Sequence, residues 1–161
     1  METLLLLVEA ALVGALGIWM SLAVSDNWRH PKLNAEGVAM VVRFDLMAEQ
    51  FPEDYSLISH RRIEDSGTIW RLFQAIRAAE TLAAAALLLA ALLLVLAAVG
   101  VASVPLATGA AIVGTAFFTL IWGGFIIGGN YFAYWYCHQW AQSNHFSFLY
   151  WGFFVLVILM I

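Results

Sequence analysis

The chain has 161 residues, 63% of them hydrophobic, with 7 basic and 11 acidic side chains and a formal net charge of -4. Soluble domains carry about 25% charged residues against 11% here, which excludes an ordinary water-soluble globule. No basic cluster offers a footprint for nucleic acid, and the single cysteine, Cys137, excludes an internal disulfide and an all-cysteine metal site.

Charge placement sharpens the argument. Glu2 and Glu9 stand near the start, the remaining charges fall between Asp26 and Glu80, and none occurs from Thr81 to Ile161. Only a chain in contact with lipid tolerates such a stretch. A spanning helix needs about 20 apolar residues, because every backbone amide must be satisfied within the segment.

The first apolar run is Thr3 to Val24, interrupted by Glu9. It reads as a mature helix rather than a signal peptide, since it has no basic start and no small-residue cleavage pattern before Asp26. The connection that follows, Ser25 to Thr68, is too long for a bare turn. Within it Val38, Val41, Phe44, Ala48 and Phe51 recur at three- and four-residue steps, predicting one amphipathic helix that Pro52 ends.

The second span covers 69–101, with first turns standing clear of the bilayer. Gly100 and Pro105 punctuate a short turn into a third span at 106–129, so these two helices are antiparallel neighbours. A fourth, shorter span covers 146–161. The fold predicted is one all-α integral membrane domain, 1–161. Four transmembrane helices form an antiparallel bundle, and 25–68 and 130–145 form a polar cap on one face. Every Lys and Arg lies between Arg29 and Arg77, which by the positive-inside rule leans that face towards the cytoplasm.

Intramembrane charge is the first place to look for function, since an unpaired ion there is costly. Arg77 and Glu80 are three apart on one helix face and are expected to pair. Counting residues from the polar face puts Glu9 at similar depth, so it is expected to join them. A proton or ion relay, and hence a small transporter or channel, is one reading. A structural ion pair, or side chains snorkelling to the interface, is the plainer one.

The histidines come next. His138 and His145 are seven apart, close to two helical turns, and present one face to a metal or haem if that segment is helical throughout. His30 and His60 are candidates to complete such a site. No recognised metal spacing is present, and Cys137 beside His138 lacks an orienting acid. Gly124 and Gly128 form a G-x-x-x-G step suited to close helix packing.

Aromatic residues cluster late in the chain. Tyr131, Phe132, Tyr134, Trp135, Tyr136 and Trp140 stand where the third span leaves the membrane, with Tyr150 and Trp151 on the fourth. An interfacial belt accounts for them. A docking surface formed by Tyr131, Phe132, Tyr134, Trp135, Trp140 and Trp151 is the sharper reading, since aromatic clusters dominate binding hot spots. With His138 and His145, Trp135 and Trp140 are also the candidate contacts of a haem, quinone or pigment.

The stretch Ile127 to Trp140, IGGNYFAYWYCHQW, resembles the G-G-E-W-F-x-M-W-x-x-x-x-W signature of the proteobacterial family of predicted small integral membrane proteins of unknown function. Val41 to Pro52 is similar to its apolar stretch ending in Phe-Pro, and Arg77 to Glu80 to its Ala-Ala-Glu. The resemblance covers nearly the whole chain and marks Phe51, Pro52, Glu80, Gly129, Phe132, Trp135 and Trp140 as family positions. Asn130 stands where the family has an acid, Ala48 to Gln50 replace its Asp-Thr-Thr, and the basic residue after the last Trp is absent. The family's usual basic residues, at the N-terminus and between spans two and three, imply periplasmic polar loops; this chain lacks them.

The expectation from sequence, following the resemblance over the charge count, is therefore a bacterial inner-membrane protein with its polar loops in the periplasm, in contact with other membrane subunits and with no nucleic acid. It is expected to act as a non-catalytic accessory or assembly subunit of an energy-transducing complex. Binding of haem, quinone or pigment, or a transport role, stands as the alternative.

Overall fold

A computed structural model describes residues 1–161, all of them in helices or the turns between. Helix α1 covers Glu2–Arg29, α2 Pro31–Val42, α3 Asp45–Gln50, α4 Pro52–Ile58, α5 Ser66–Ala98, α6 Val104–Tyr131, α7 Tyr134–Cys137 and α8 Gln139–Leu159; a single 3-10 turn, Ser59–Arg61, follows α4. All three prolines lie in the first turn of a helix, at the starts of α2, α4 and α6. There the missing amide would be unpaired in any case, and in α2 and α4 the residue before the proline is driven out of helical geometry. That steric rule fixes the breaks at His30 and Phe51.

Side-chain caps mark the starts of α5 and α6. Asp65 Oδ2 accepts from the Thr68 amide at 2.6 Å to begin α5, and Ser103 Oγ accepts from the Leu106 amide at 3.4 Å to begin α6. The α5–α6 turn passes through Gly100 at φ +77°, a conformation that glycine adopts without steric cost.

The single amphipathic helix expected over Val38 to Phe51 is instead two. Val38 and Val41 lie on α2, Ala48 on α3, and Phe44 between them takes a left-handed φ of 57°. That conformation costs about 1–2 kcal/mol in a non-glycine residue. It turns the Phe44 ring into a small second core with Met47 and Ala133, where it is 3% exposed. Burying a phenylalanine yields about 1.5–3 kcal/mol, enough to offset the strain. Tertiary packing thus overrides the local period.

Helices α1, α5 and α6 are each long and apolar enough to cross a membrane. Helix α8 rises about 31 Å at 1.5 Å per residue, but its first third, from Gln139 to His145, is polar and keeps it outside that class. Helix α1 packs on α5, α5 on α6 and α6 on α8, each pair antiparallel. Trp19 of α1 closes the ring, stacking on Phe148 of α8 at 4.1 Å and approaching Trp151 at 6.3 Å.

Small residues set the spacing of these contacts. A Cβ on Gly17 would stand 3.0–3.2 Å from Leu87 and Leu88, one on Gly114 3.5 Å from the α5 backbone, and one on Gly152 2.5 Å from Thr119 Oγ1. Only 33%, 33% and 28% of the most apolar stretches of α1, α5 and α6 are buried within the chain. The remainder is left to lipid or to a partner.

Candidate functional site

Polar residues gather at two places near the cap. At the first, where α1, α2 and α5 meet, Glu80 is 6% exposed and its Oε2 accepts from Asn27 Nδ2 at 2.7 Å. Asn27, itself buried, accepts through Oδ1 from the Asn34 amide of α2. One carboxylate and two amides therefore tie the cap to the first two long helices. A buried carboxyl group is expensive unless hydrogen-bonded, and the bond it receives here comes from the Asn27 amide and not from a cation.

The expected Arg77–Glu80 ion pair is not formed. The Arg77 guanidinium lies 3.7 Å above the centre of the Trp28 ring, 5.9 Å from that of Phe73, and donates to Gln74 Oε1. Trp28 in turn donates through Nε1 to Thr81 Oγ1 at 3.2 Å. A stacked guanidinium keeps a favourable electrostatic partner in the ring face, so Arg77 is satisfied without the carboxylate.

Glu9 does not join them either. Asn27 is level with Glu80, and Glu9 lies about 27 Å from Asn27 along α1 at 1.5 Å per residue. The expectation of equal depth fails because the helix ends from which the residues were counted are not level: Asn27 lies two residues from the end of α1 and Glu80 lies 14 residues into α5, so α5 starts about 18 Å further out on the cap side at 1.5 Å per residue. A relay through these three groups has no continuous path.

The second place is the aromatic end of α6 and α8. His145 stacks on Phe125 at 4.9 Å and Tyr134 at 5.7 Å, and lies 5.5 Å from Trp122. Three buried polar atoms here, His145 Nδ1, Tyr134 Oη and Trp122 Nε1, have no hydrogen-bond partner. A Cβ on Gly129 would stand 2.6–2.7 Å from the Tyr134 ring, so only glycine allows that ring to lie on the α6 backbone. Burial of Tyr134 raises its phenol pKa above the ordinary 10.0.

The candidate cofactor residues do not converge. His138 is buried but stands at the cap of α8 with φ -125°, ψ 41°, so no continuous helix carries it and His145 on one face. Burial lowers the His138 pKa. Trp135 and Trp140 are 48% and 70% exposed and are not among the rings stacked on His145. No group of three His, Cys, Asp or Glu residues is placed to hold a metal, so His30 and His60 complete no such site.

Of the candidate interface residues, Tyr131, Trp135 and Trp140 are exposed, whereas Tyr134 is buried, Phe132 packs in the second core and Trp151 faces Trp19. Gly124 and Gly128 are exposed, and a Cβ on either would meet nothing within 4 Å. No helix of this chain uses that step. Sequence reasoning missed Asn27, Asn34, Gln74, Trp28 and Trp122. Their only signal was polarity or aromaticity, which does not name the partner that packing brings to each.

The two polar connections share one face and are joined directly. Tyr136 Oη donates to Asp54 Oδ2 at 2.6 Å, which raises the phenol pKa, and Arg61 Nη1 donates to the Tyr131 carbonyl at 3.2 Å. An all-helical chain with three membrane-length apolar helices and a small polar cap is an integral membrane protein of several spans. The chain belongs to the family described as predicted small integral membrane protein (DUF2165), whose match covers residues 5–161. No curated protein and no solved structure matches it.

Proposed function

We propose that this protein is a non-catalytic accessory or assembly subunit of a larger, energy-transducing complex in the bacterial inner membrane. The observation that carries the reading is the outer face of α6. There Leu120 and Ile127, 71% and 75% exposed, flank Gly124 and Gly128, and the face ends at the exposed Tyr131. Lipid alone needs no glycine step. A partner helix does, because two small residues four apart let backbones approach, and exposed aromatic residues at one end supply an anchor.

In this reading α8 is a fourth span, which the packing of Gly152 and Val155 in the helical core supports. Both polar connections then face the periplasm, as the family's usual charge pattern implies; the seven Lys and Arg on that side argue for the cytoplasm. Labelling of Gln50→Cys in a Cys137→Ser background by a membrane-impermeant maleimide in intact cells decides between the two sides.

The functional test is the mass and protein content of the particle extracted from its own membrane in mild detergent. Stoichiometric partner subunits are expected, and Gly124→Leu should release them while the chain itself stays folded. A particle no larger than a monomer or small homo-oligomer overturns the proposal.

A second reading is favoured by the unpartnered His145, Tyr134 and Trp122 atoms, which have the donor chemistry to hold a quinone carbonyl or the edge of a haem or pigment. A visible absorption band, or an extractable quinone, in the purified protein tests it.

A further inference from the structure

We propose that Tyr134 is a removable plug: its phenol ring fills the seat of a benzoquinone headgroup beside His145, and α7 swings about Ala133 to exchange one ring for the other. This gate rests on the second reading above, of a ligand held at the same site.

The seat is defined by what surrounds the Tyr134 ring. A Cβ on Gly129 would stand 2.6–2.7 Å from that ring, so the bare α6 backbone is its floor. His145 stacks on the ring at 5.7 Å and 25°, with Phe125 and Trp122 next to His145 at 4.9 and 5.5 Å. Gly129 ends the apolar run of α6, so the seat lies where a ligand dissolved in the bilayer arrives. A six-membered ring carrying oxygen already fits there.

The resting occupant fits by shape and not by polarity. Tyr134 and Trp122 are 2% and 5% exposed, yet Tyr134 Oη, Trp122 Nε1 and His145 Nδ1 have no hydrogen-bond partner. Buried polar atoms left unpaired are costly and uncommon. A benzoquinone has a ring of the same size and two carbonyl oxygens, which accept from an indole N–H and an imidazole N–H. Its entry pairs Trp122 and His145 and returns the Tyr134 hydroxyl to water.

The gate is lightly held. Tyr134 belongs to α7, a single turn of four residues set between Ala133 at φ 49° and His138 at φ -125°. A left-handed alanine persists only through the packing around it. That packing is the second core, with three buried residues, Phe44, Met47 and Ala133, against 18 in the core of the bundle. A segment with so little buried apolar surface opens well before the whole fold. Tyr136 clips α7 to the start of α4, through its hydroxyl on Asp54 at 2.6 Å and its ring 4.8 Å from Phe51. Cys137, the one thiol, packs on the same core and reports its opening.

The test is the rate at which N-ethylmaleimide labels Cys137 in the purified chain in mild detergent, with and without duroquinone, whose fully substituted ring offers a thiol no free carbon to attack. Labelling faster than unfolding of the bundle is expected. It should rise about fivefold in Tyr136→Phe, which loses the clip, and rise in the wild type when duroquinone is added. Tyr134→Ala should bind duroquinone about tenfold tighter than the wild type because its seat is vacant, and durene, the same skeleton without oxygens, should not compete. Labelling no faster than unfolding overturns the proposal, as does equal affinity of the two chains or equal binding of durene. Duroquinone bound by neither chain overturns both the plug and the second reading. A wild type purified without quinone, while Tyr134→Ala binds duroquinone, counts only against a ligand held in the resting protein and supports the plug. The labelling rates of the wild type and Tyr136→Phe decide the matter if Tyr134→Ala does not fold.

Discussion

Two glycine substitutions on neighbouring helices should move stability in opposite directions. In Gly152→Ala the new methyl stands 2.5 Å from Thr119 Oγ1 and 2.8–3.2 Å from the Phe118 ring. Neither neighbour yields easily. Phe118 is 0% exposed, and Thr119 Oγ1 is engaged as donor to the Thr115 carbonyl at 2.8 Å. Carbon contacts need about 3.5–4.0 Å, so α8 must move away from α6 by roughly 1 Å, and overpacking of this kind costs about 1–3 kcal/mol.

In Gly124→Ala the methyl meets nothing within 4 Å, and only the helix-propensity gain of up to about 1 kcal/mol remains. Both variants share that gain. Their difference therefore isolates the steric term, about 1–3 kcal/mol with Gly152→Ala the less stable. Unfolding of the purified chain by a rising fraction of denaturing detergent in mixed micelles, followed by helix signal and tryptophan fluorescence, reads it. Equal midpoints, or a less stable Gly124→Ala, would refute the packing of α8 on α6 described above. Because the isolated chain is measured, the result does not depend on any partner at the α6 face.

Three further outcomes are expected. Asn27→Ala removes the donor to buried Glu80 and should cost about 1.5–3 kcal/mol in the same assay, but less in a Glu80→Leu background, where only the bond from Asn34 remains to be lost; additive effects would show the pair to be uncoupled. Tyr136 donates to Asp54, so its phenol holds its proton above pH 10.0, and the stability this contributes is present below that pH and lost as pH rises through the shifted value. The phenolate absorbance removed by Tyr136→Phe should appear above the ordinary tyrosine range, and should return to that range in Asp54→Asn. Gly129→Ala should push the Tyr134 ring out of its seat and bring its raised phenol pKa back towards 10.0; an unmoved titration would mean the ring does not lie on the α6 backbone.

The long apolar runs and the breaks at Pro52, Gly100 and Pro105 are local signals, and each is legible because its cause lies within a few residues of its effect. A bilayer accepts helices and closed β-barrels, and unbroken apolar runs of about 20 residues suit a helix and not the alternating strands of a barrel, so these runs point to the fold class and the membrane. The partners of the polar groups are not local. Arg77 and Glu80 share a helix face, and sequence spacing pairs them, yet Asn27 and Trp28 arrive from another helix and offer each a better contact.

Phe44 shows the same principle in the backbone. Its place in the apolar period predicts a continuous helix, and a second core made with Ala133 and Met47 rewards the break. His145, stacked on Phe125 and Tyr134, and the outward-facing Gly124 and Gly128 likewise depend on which face α6 turns towards α8. Period and composition along this chain determine which segments become helices and that they enter the membrane. Which side chain meets which is decided by the rotation and register of packed helices, where contacts between residues distant in sequence outweigh the preference of any one segment.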